Sequence, residues 1–167
     1  MIAGVSTAVV LAGQDISLEY RVKAAYLYNF IKYVEWPDRQ GGTLLICIAG
    51  QNPFGTVLEG LIRNERIHGL SLATKTILGF EPDCNVIFTP STSNIPVYLR
   101  ESVGMPILTV GETPRFIEQG GIINFFVDKG GAVRFEINRT AADRAKLRIS
   151  SRLLQFAKIT EPGTDER

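Results

Sequence analysis

The sequence predicts a three-layer α/β sandwich. Its sheet is mostly parallel, of the Rossmann or flavodoxin type, with an antiparallel hairpin near the C-terminus. Three observations carry this. The short continuous apolar runs at 44–49, 85–89 and 106–111 read as strands buried on both faces. Stretches with apolar residues at helical spacing alternate with these runs, as βα units require. From Ile122 the period changes to two. There Val133, Phe135 and Ile137 alternate with Arg134, Glu136 and Asn138 after a turn at 128–131, which is a hairpin with one buried face.

Taken in order, residues 22–37 read as one helix. At about 100° per residue, Arg21, Tyr28, Lys32 and Glu35 fall on a narrow stripe, and Val22, Tyr26, Leu27, Phe30, Ile31, Tyr33 and Val34 fill the remaining arc. A surface helix shows an apolar stripe of little more than about 100°. A wider one needs cover from two sides, from more of the same chain or from a partner. Trp36-Pro37 ends the helix, because the residue before proline disfavours the α region. After a turn-rich link and the strand at 44–49, Asn52 can cap a helix with Pro53 at its first position, carrying Phe54, Val57, Leu58, Leu61 and Ile62. Residues 70–77 form a second strand, and Pro90 ends the strand at 85–89. Residues 94–103 read as a helix with Val97, Leu99 and Val103 among its apolar positions. Thr113-Pro114 opens a short helix closed by Gly120-Gly121. Asn138 caps a helix over 139–146, and Ser150 or Ser151 caps a last one through Leu153, Leu154, Phe156 and Ala157.

The chain has 167 residues, 45% hydrophobic and 21% charged, which fits one α/β domain over 18–160 with a flexible tail at 161–167. Residues 1–13 read as a signal-peptide remnant or a tail. They are small and apolar and end in an A-x-A-type pattern at Val10-Leu11-Ala12, although a basic n-region is missing. No segment reaches the roughly 18 uninterrupted apolar residues of a membrane span. A formal net charge of +1 sets up no strong field toward nucleic acid or an anionic membrane, so no nucleic-acid partner is expected.

No constellation for catalysis, metal or cofactor stands out. The frame Gly50-Gln51-Asn52-Pro53-Phe54-Gly55-Thr56 has the glycine spacing of a phosphate loop. Thr56 stands where the lysine belongs, and Pro53 removes an N–H. His68, the only histidine, reads as a solvated loop residue at 66–69. The carboxylates are scattered and read as solvated, with Glu112 and Glu118 near element ends. Two cysteines, Cys47 and Cys84, fit one disulfide in an exported protein or two buried thiols in a cytosolic one. Cys47 lies mid-strand and Cys84 precedes a strand, so their heights differ, and bridging needs Cα atoms within about 7 Å. Among the aromatics, Tyr26 and Phe30 read as core. Tyr28 on the polar stripe and Trp36 at the helix end, with Lys32 beside Tyr28, are the candidate partner-binding residues, since such side chains are enriched at interface hot spots.

An ordered set of motifs adds a resemblance. Val22-Lys23-Ala24-Ala25-Tyr26-Leu27-Tyr28-Asn29-Phe30 leads to Glu35-Trp36-Pro37. Then come Leu45-Ile46-Cys47-Ile48, Pro53-Phe54-Gly55, Cys84 before Val86-Ile87-Phe88, and Leu108-Thr109-Val110-Gly111. Gly120-Gly121-Ile122-Ile123, Phe135-Glu136-Ile137-Asn138 and Leu147-Arg148-Ile149-Ser150-Ser151-Arg152-Leu153-Leu154 close the set. From about Tyr20 to Ala157 the chain resembles the YfiR family of small exported regulators. The resemblance implies a periplasmic α/β protein, often a homodimer, that is not an enzyme. It would repress a membrane-anchored diguanylate cyclase through that enzyme's periplasmic sensor region, and an OmpA-like lipoprotein would draw it away. Cys47 and Cys84 match a family cysteine pair. A further downstream pair found in some members is missing, which weakens the expectation of strong redox control. The competing expectation is a periplasmic small-molecule sensor acting with a histidine kinase or other membrane receptor. Its ligand would lie beyond the carboxyl ends of the strands, between the loops at 50–55 and 111–114. A degenerate α/β enzyme is a third.

Overall fold

The computed structural model describes residues 15–37 and 42–160. The expected export segment and C-terminal tail lie outside the described residues. The elements run α1 (Leu18–Tyr33), β1 (Val34–Glu35), β2 (Thr43–Ala49), α2 (Val57–Ile62), β3 (Arg66–Ile67), β4 (Leu70–Ile77), β5 (Val86–Thr89), α3 (Ile95–Glu101), β6 (Leu108–Gly111), β7 (Ile123–Val127), β8 (Val133–Ile137), α4 (Arg139–Arg144), β9 (Arg148–Ile149), α5 (Ser151–Leu154) and β10 (Lys158–Ile159).

The main sheet has the order β10-β8-β7-β6-β5-β2-β4-β3. Strands β4, β2, β5, β6 and β7 are parallel neighbours, the 2-1-3-4-5 arrangement of a doubly wound sheet. The expected hairpin is β7 and β8, paired from Ile123↔Ile137 to Val127↔Val133, with β10 added parallel outside it. Alternate strand residues feed two cores. Leu44, Ile46, Ile48, Val86, Phe88, Leu108 and Val110 pack with α1, α2 and α5. Cys47, Ala49, Ile77 and Ile87 pack with Tyr98 of α3 on the opposite face. Helices therefore cover both faces, as the three-layer expectation requires.

Local chemistry accounts for the boundaries. Ser17 caps α1, its hydroxyl accepting from the Tyr20 amide. The helix ends at Tyr33, earlier than the sequence predicts. Val34 is extended and pairs with Ile149, because β9 offers backbone partners that outweigh the helical pattern. Asn52 organises a turn instead of a helix start: its Oδ1 accepts from the Phe54 amide at 2.8 Å, and α2 begins only at Val57. Residues 114–120 form turns rather than a helix. Residues 66–69 are not a loop: β3 and β4 make a tight hairpin with His68 and Gly69 at φ 52° and 78°, the pairing of left-handed residues that suits two-residue hairpin turns. Asn138 and Ser150 cap α4 and α5 as expected, but α5 stops at Leu154 and leaves Phe156 73% exposed.

The wide apolar arc of α1 is covered from within. Ala24, Leu27, Phe30 and Ile31 are fully buried, and the helix packs against α2 on one flank and α5 and β8 on the other. Of the two kinds of cover the pattern allowed, the chain itself supplies most. Tyr26 stacks on Phe30 and meets Phe125 and Phe135.

Phe116, fully buried, lies between Gly111 and Gly121; a Cβ at these positions would come within 2.4 Å and 2.1 Å of its ring. The φ of Gly121 is not in the left-handed region, so the constraint is space, not backbone freedom. Gly121→Ala should cost about 1–3 kcal/mol by overpacking, measured as a lowered urea midpoint. Combining it with Phe116→Leu should recover part of the loss.

Candidate functional site

In doubly wound sheets ligands bind beyond the carboxyl ends of the strands, where the strand order reverses. Here that point lies between β2 and β5. It is filled by side chains from the first turns of α1. Tyr20 and Lys23, three apart, point the same way on the helix and meet Glu112, the residue after β6. The Lys23 ammonium is 2.8 Å from Glu112 Oε2, and both side chains are only 5% exposed. Tyr20 donates its O–H to Glu112 Oε1 at 3.0 Å, and the Ser91 amide donates to the same oxygen at 3.2 Å. Glu19 adds a second carboxylate to Lys23 from one helical turn earlier. The Lys23 ammonium also lies 4.7 Å from the Tyr20 ring centroid, and the Tyr20 ring meets Phe54 edge-on. A buried charge needs a partner and hydrogen bonds; Glu112 and Lys23 provide these for each other.

Burial, the Glu112 charge and the hydrogen bond to it push the Tyr20 phenol up to about 12. The neutral phenol is therefore favoured in the folded state over the unfolded one, whose value is about 10. Its contribution to stability is complete below pH 10 and is lost as the pH rises from 10 to 12. The denaturant midpoint of the wild type should fall over that window more steeply than that of Tyr20→Phe, which also lacks the late step in an alkaline absorbance titration.

The candidate partner residues separate into two places. Tyr28 and Lys32 sit together on α1, with the Lys32 ammonium 5.6 Å from the Tyr28 ring. Tyr28 is half-buried against the core and donates its O–H to Glu65 at 3.2 Å. Trp36 lies at the amino end of the sheet and donates its indole N–H to the Asn85 carbonyl at 3.2 Å. Close by, Cys47 and Cys84 are joined, with Cα atoms 5.8 Å apart. The height difference is absorbed because the chain before β5 curls back, the Cys84 amide donating to the Glu81 carbonyl.

Lys23 and Glu112 escaped sequence reasoning. Glu112 is not solvated as expected, because a fold that brings it to the α1 terminus has no local signature. Lys23 carries a faint one: a lysine among apolar helix positions with Glu19 four residues before it. A second feature also went unseen. Tyr26, Asn29, Tyr33, Phe135, Arg152 and Phe156 line a groove of about 550 Å³ between α1 and α5. Among the described residues there is no group of three or more potential metal-ligating side chains, and no helix is long and apolar enough to cross a membrane.

A doubly wound α/β sheet whose switch-point crevice is filled by its own first helix defines the class. The sequence profile of the YfiR/HmsC-like family matches residues 20–158, and the chain belongs to that family. Members of this family are periplasmic regulators of cyclic di-GMP signalling that act with a membrane-associated partner. No curated protein sequence matches the chain significantly. Among solved structures, it is similar to an ABC domain in complex with L-Trp from Streptococcus pneumonia, at 13% identity and a TM-score of 0.49 over 70% of this chain and 55% of that one. A conserved domain protein from Vibrio cholerae O1 biovar eltor is similar at 15% identity and a TM-score of 0.49, over 84% of this chain and 60% of that one. The chain thus spans a little over half the length of these structures.

Proposed function

We propose that this chain represses a membrane-anchored diguanylate cyclase by binding its periplasmic sensor region, without carrying out a reaction of its own. The observation that carries the reading is the closed crevice. The position where this fold class holds small ligands is taken by Tyr20, Lys23 and Glu112, which satisfy one another. That weighs against the small-molecule sensor and leaves the family role as a protein-binding regulator. In this reading Tyr28 and Lys32 on the outer edge of α1, with Trp36 at its far end, contact the partner. The regulator is a homodimer, and an OmpA-like lipoprotein competes for it. The disulfide between Cys47 and Cys84 supports the binding surface as scaffold.

Deleting the chain from its host should raise cyclic di-GMP, and restoring the wild type should lower it again. Lys32→Glu should weaken capture of the detergent-solubilised cyclase about tenfold, equivalent to about 1.4 kcal/mol, with an unchanged melting temperature. Tyr28→Ala should weaken it comparably while lowering the melting temperature somewhat, since its ring packs on the core. Unchanged cyclic di-GMP on deletion would refute the reading, and unchanged capture by both variants would refute the surface.

A further inference from the structure

The near-zero net charge conceals a basic stretch near the C-terminus. Six of the chain's 18 basic residues, Arg139, Arg144, Lys146, Arg148, Arg152 and Lys158, fall within 139–158, against a single acid, Asp143. All six are exposed. The ion pairs of the described residues lie elsewhere, at Lys23, Lys75, Arg100 and Arg134. Even Glu35, directly across from Arg148 in the β1–β9 pair, forms no ion pair with it. Arg139, Arg148 and Arg152 flank α5, whereas Arg144 borders a separate cleft with Leu99 and Glu118. Arg139 and Arg148 line one concavity with Leu154, and Arg152 borders the adjoining groove with Phe156. Phe156, beside Arg152, is 73% exposed, and Ile159 of the edge strand is 42% exposed.

We propose that the α4–β9–α5 face docks on an anionic phospholipid surface. Unpaired cations are drawn to anionic headgroups, and a projecting aromatic ring buries in the interfacial layer, so together they form a two-part peripheral anchor. The arrangement favours lipid over an acidic polypeptide. The six charges are spread across four elements and the intervening loop and do not converge on one cup. A fixed partner would need carboxylates placed to match, whereas headgroups diffuse laterally and match any spacing. Phe156 and Ile159 stand out from the surface, where a bilayer accepts them. This proposal does not depend on the cyclase reading, because none of Tyr28, Lys32 and Trp36 is among the residues that carry it.

The test is co-sedimentation of the full chain with extruded vesicles, either phosphatidylglycerol mixed equally with phosphatidylcholine or phosphatidylcholine alone. The wild type should partition at least tenfold more strongly onto the anionic vesicles. That preference should collapse on moving from low salt to several hundred millimolar, since the screening length is already down to about 10 Å at 0.1 M. Arg148→Gln with Arg152→Glu should lower partitioning about tenfold, and Phe156→Ser severalfold; glutamine at 148 avoids a like-charge pair with Glu35 across the β1–β9 ladder. All these positions are exposed, so circular dichroism melts should match the wild type. Equal partitioning onto both vesicle types overturns the proposal, as does wild-type partitioning by the double variant. Poly-L-glutamate serves as the competing probe. If it binds as tightly as the anionic vesicles and Phe156→Ser changes neither, the face is a docking site for acidic polypeptide and the lipid assignment fails.

Discussion

Replacing Cys47 and Cys84 together by alanine should lower the free energy of unfolding by about 4 kcal/mol, the chain-entropy value for a bridge between residues 37 apart. For a chain of this size that corresponds to a fall of roughly 8–16 °C in Tm. The topology explains why the bridge sits where it does. The chain leaving β4 must cross β2 to enter β5 on its other side, and only residues 78–85 make the connection. Parallel crossovers usually run a dozen residues or more and carry a helix. This one has none, so no amphipathic face holds it to the sheet. The bond from Cys84 to the middle of β2 holds it instead, beneath Tyr98 and Ile107. Both cysteines are buried, at 0% and 1% exposure. Reduction of the native protein should therefore be much slower than in urea, as followed by thiol alkylation. Equal rates would show that the bridge opens without unfolding, contrary to its burial.

The second large effect concerns Lys23 and Glu112. Lys23→Met should cost about 3–5 kcal/mol, because it leaves a buried carboxylate with only a phenol and one amide as donors. Glu112→Leu should cost less, since Lys23 keeps Glu19, whose side chain is 46% exposed. The double variant should be more stable than the sum of the two predicts, because no unpaired charge remains in the interior. A urea-midpoint cycle measures the coupling. Strict additivity would mean that the two groups do not sense each other in the folded protein.

The parts of the fold legible in the sequence were those with a strong local pattern. Strands β2, β4, β5 and β6, the β7–β8 hairpin and the caps at Asn138 and Ser150 follow from apolar runs, alternation and capping chemistry. The two-residue strands β1, β3, β9 and β10 exist only because a distant neighbour supplies hydrogen bonds, as Ile149 does for Val34. No local pattern could mark them. The helix expected at 113–120 failed for a related reason: Phe116 is drawn in between two glycines, and the backbone turns to deliver it. At the site, the apolar excess of α1 was visible but its occupant was not, since α2, α5 and β8 arrive from far along the chain. Charge was misleading in the same way. A whole-chain sum near zero says nothing about how the charges are arranged in space.

The Asn85 carbonyl accepts from both the Trp36 indole and the Leu108 amide. The same residue holds Leu45 through its own amide and its side-chain oxygen. One asparagine, next in sequence to the stapled Cys84, thus ties the tryptophan to β2, β5 and β6. A force applied at the indole is shared among three central strands, so this corner behaves as a stiff pivot. A protein that leans on it meets a surface already in its final shape, with little ordering entropy left to lose.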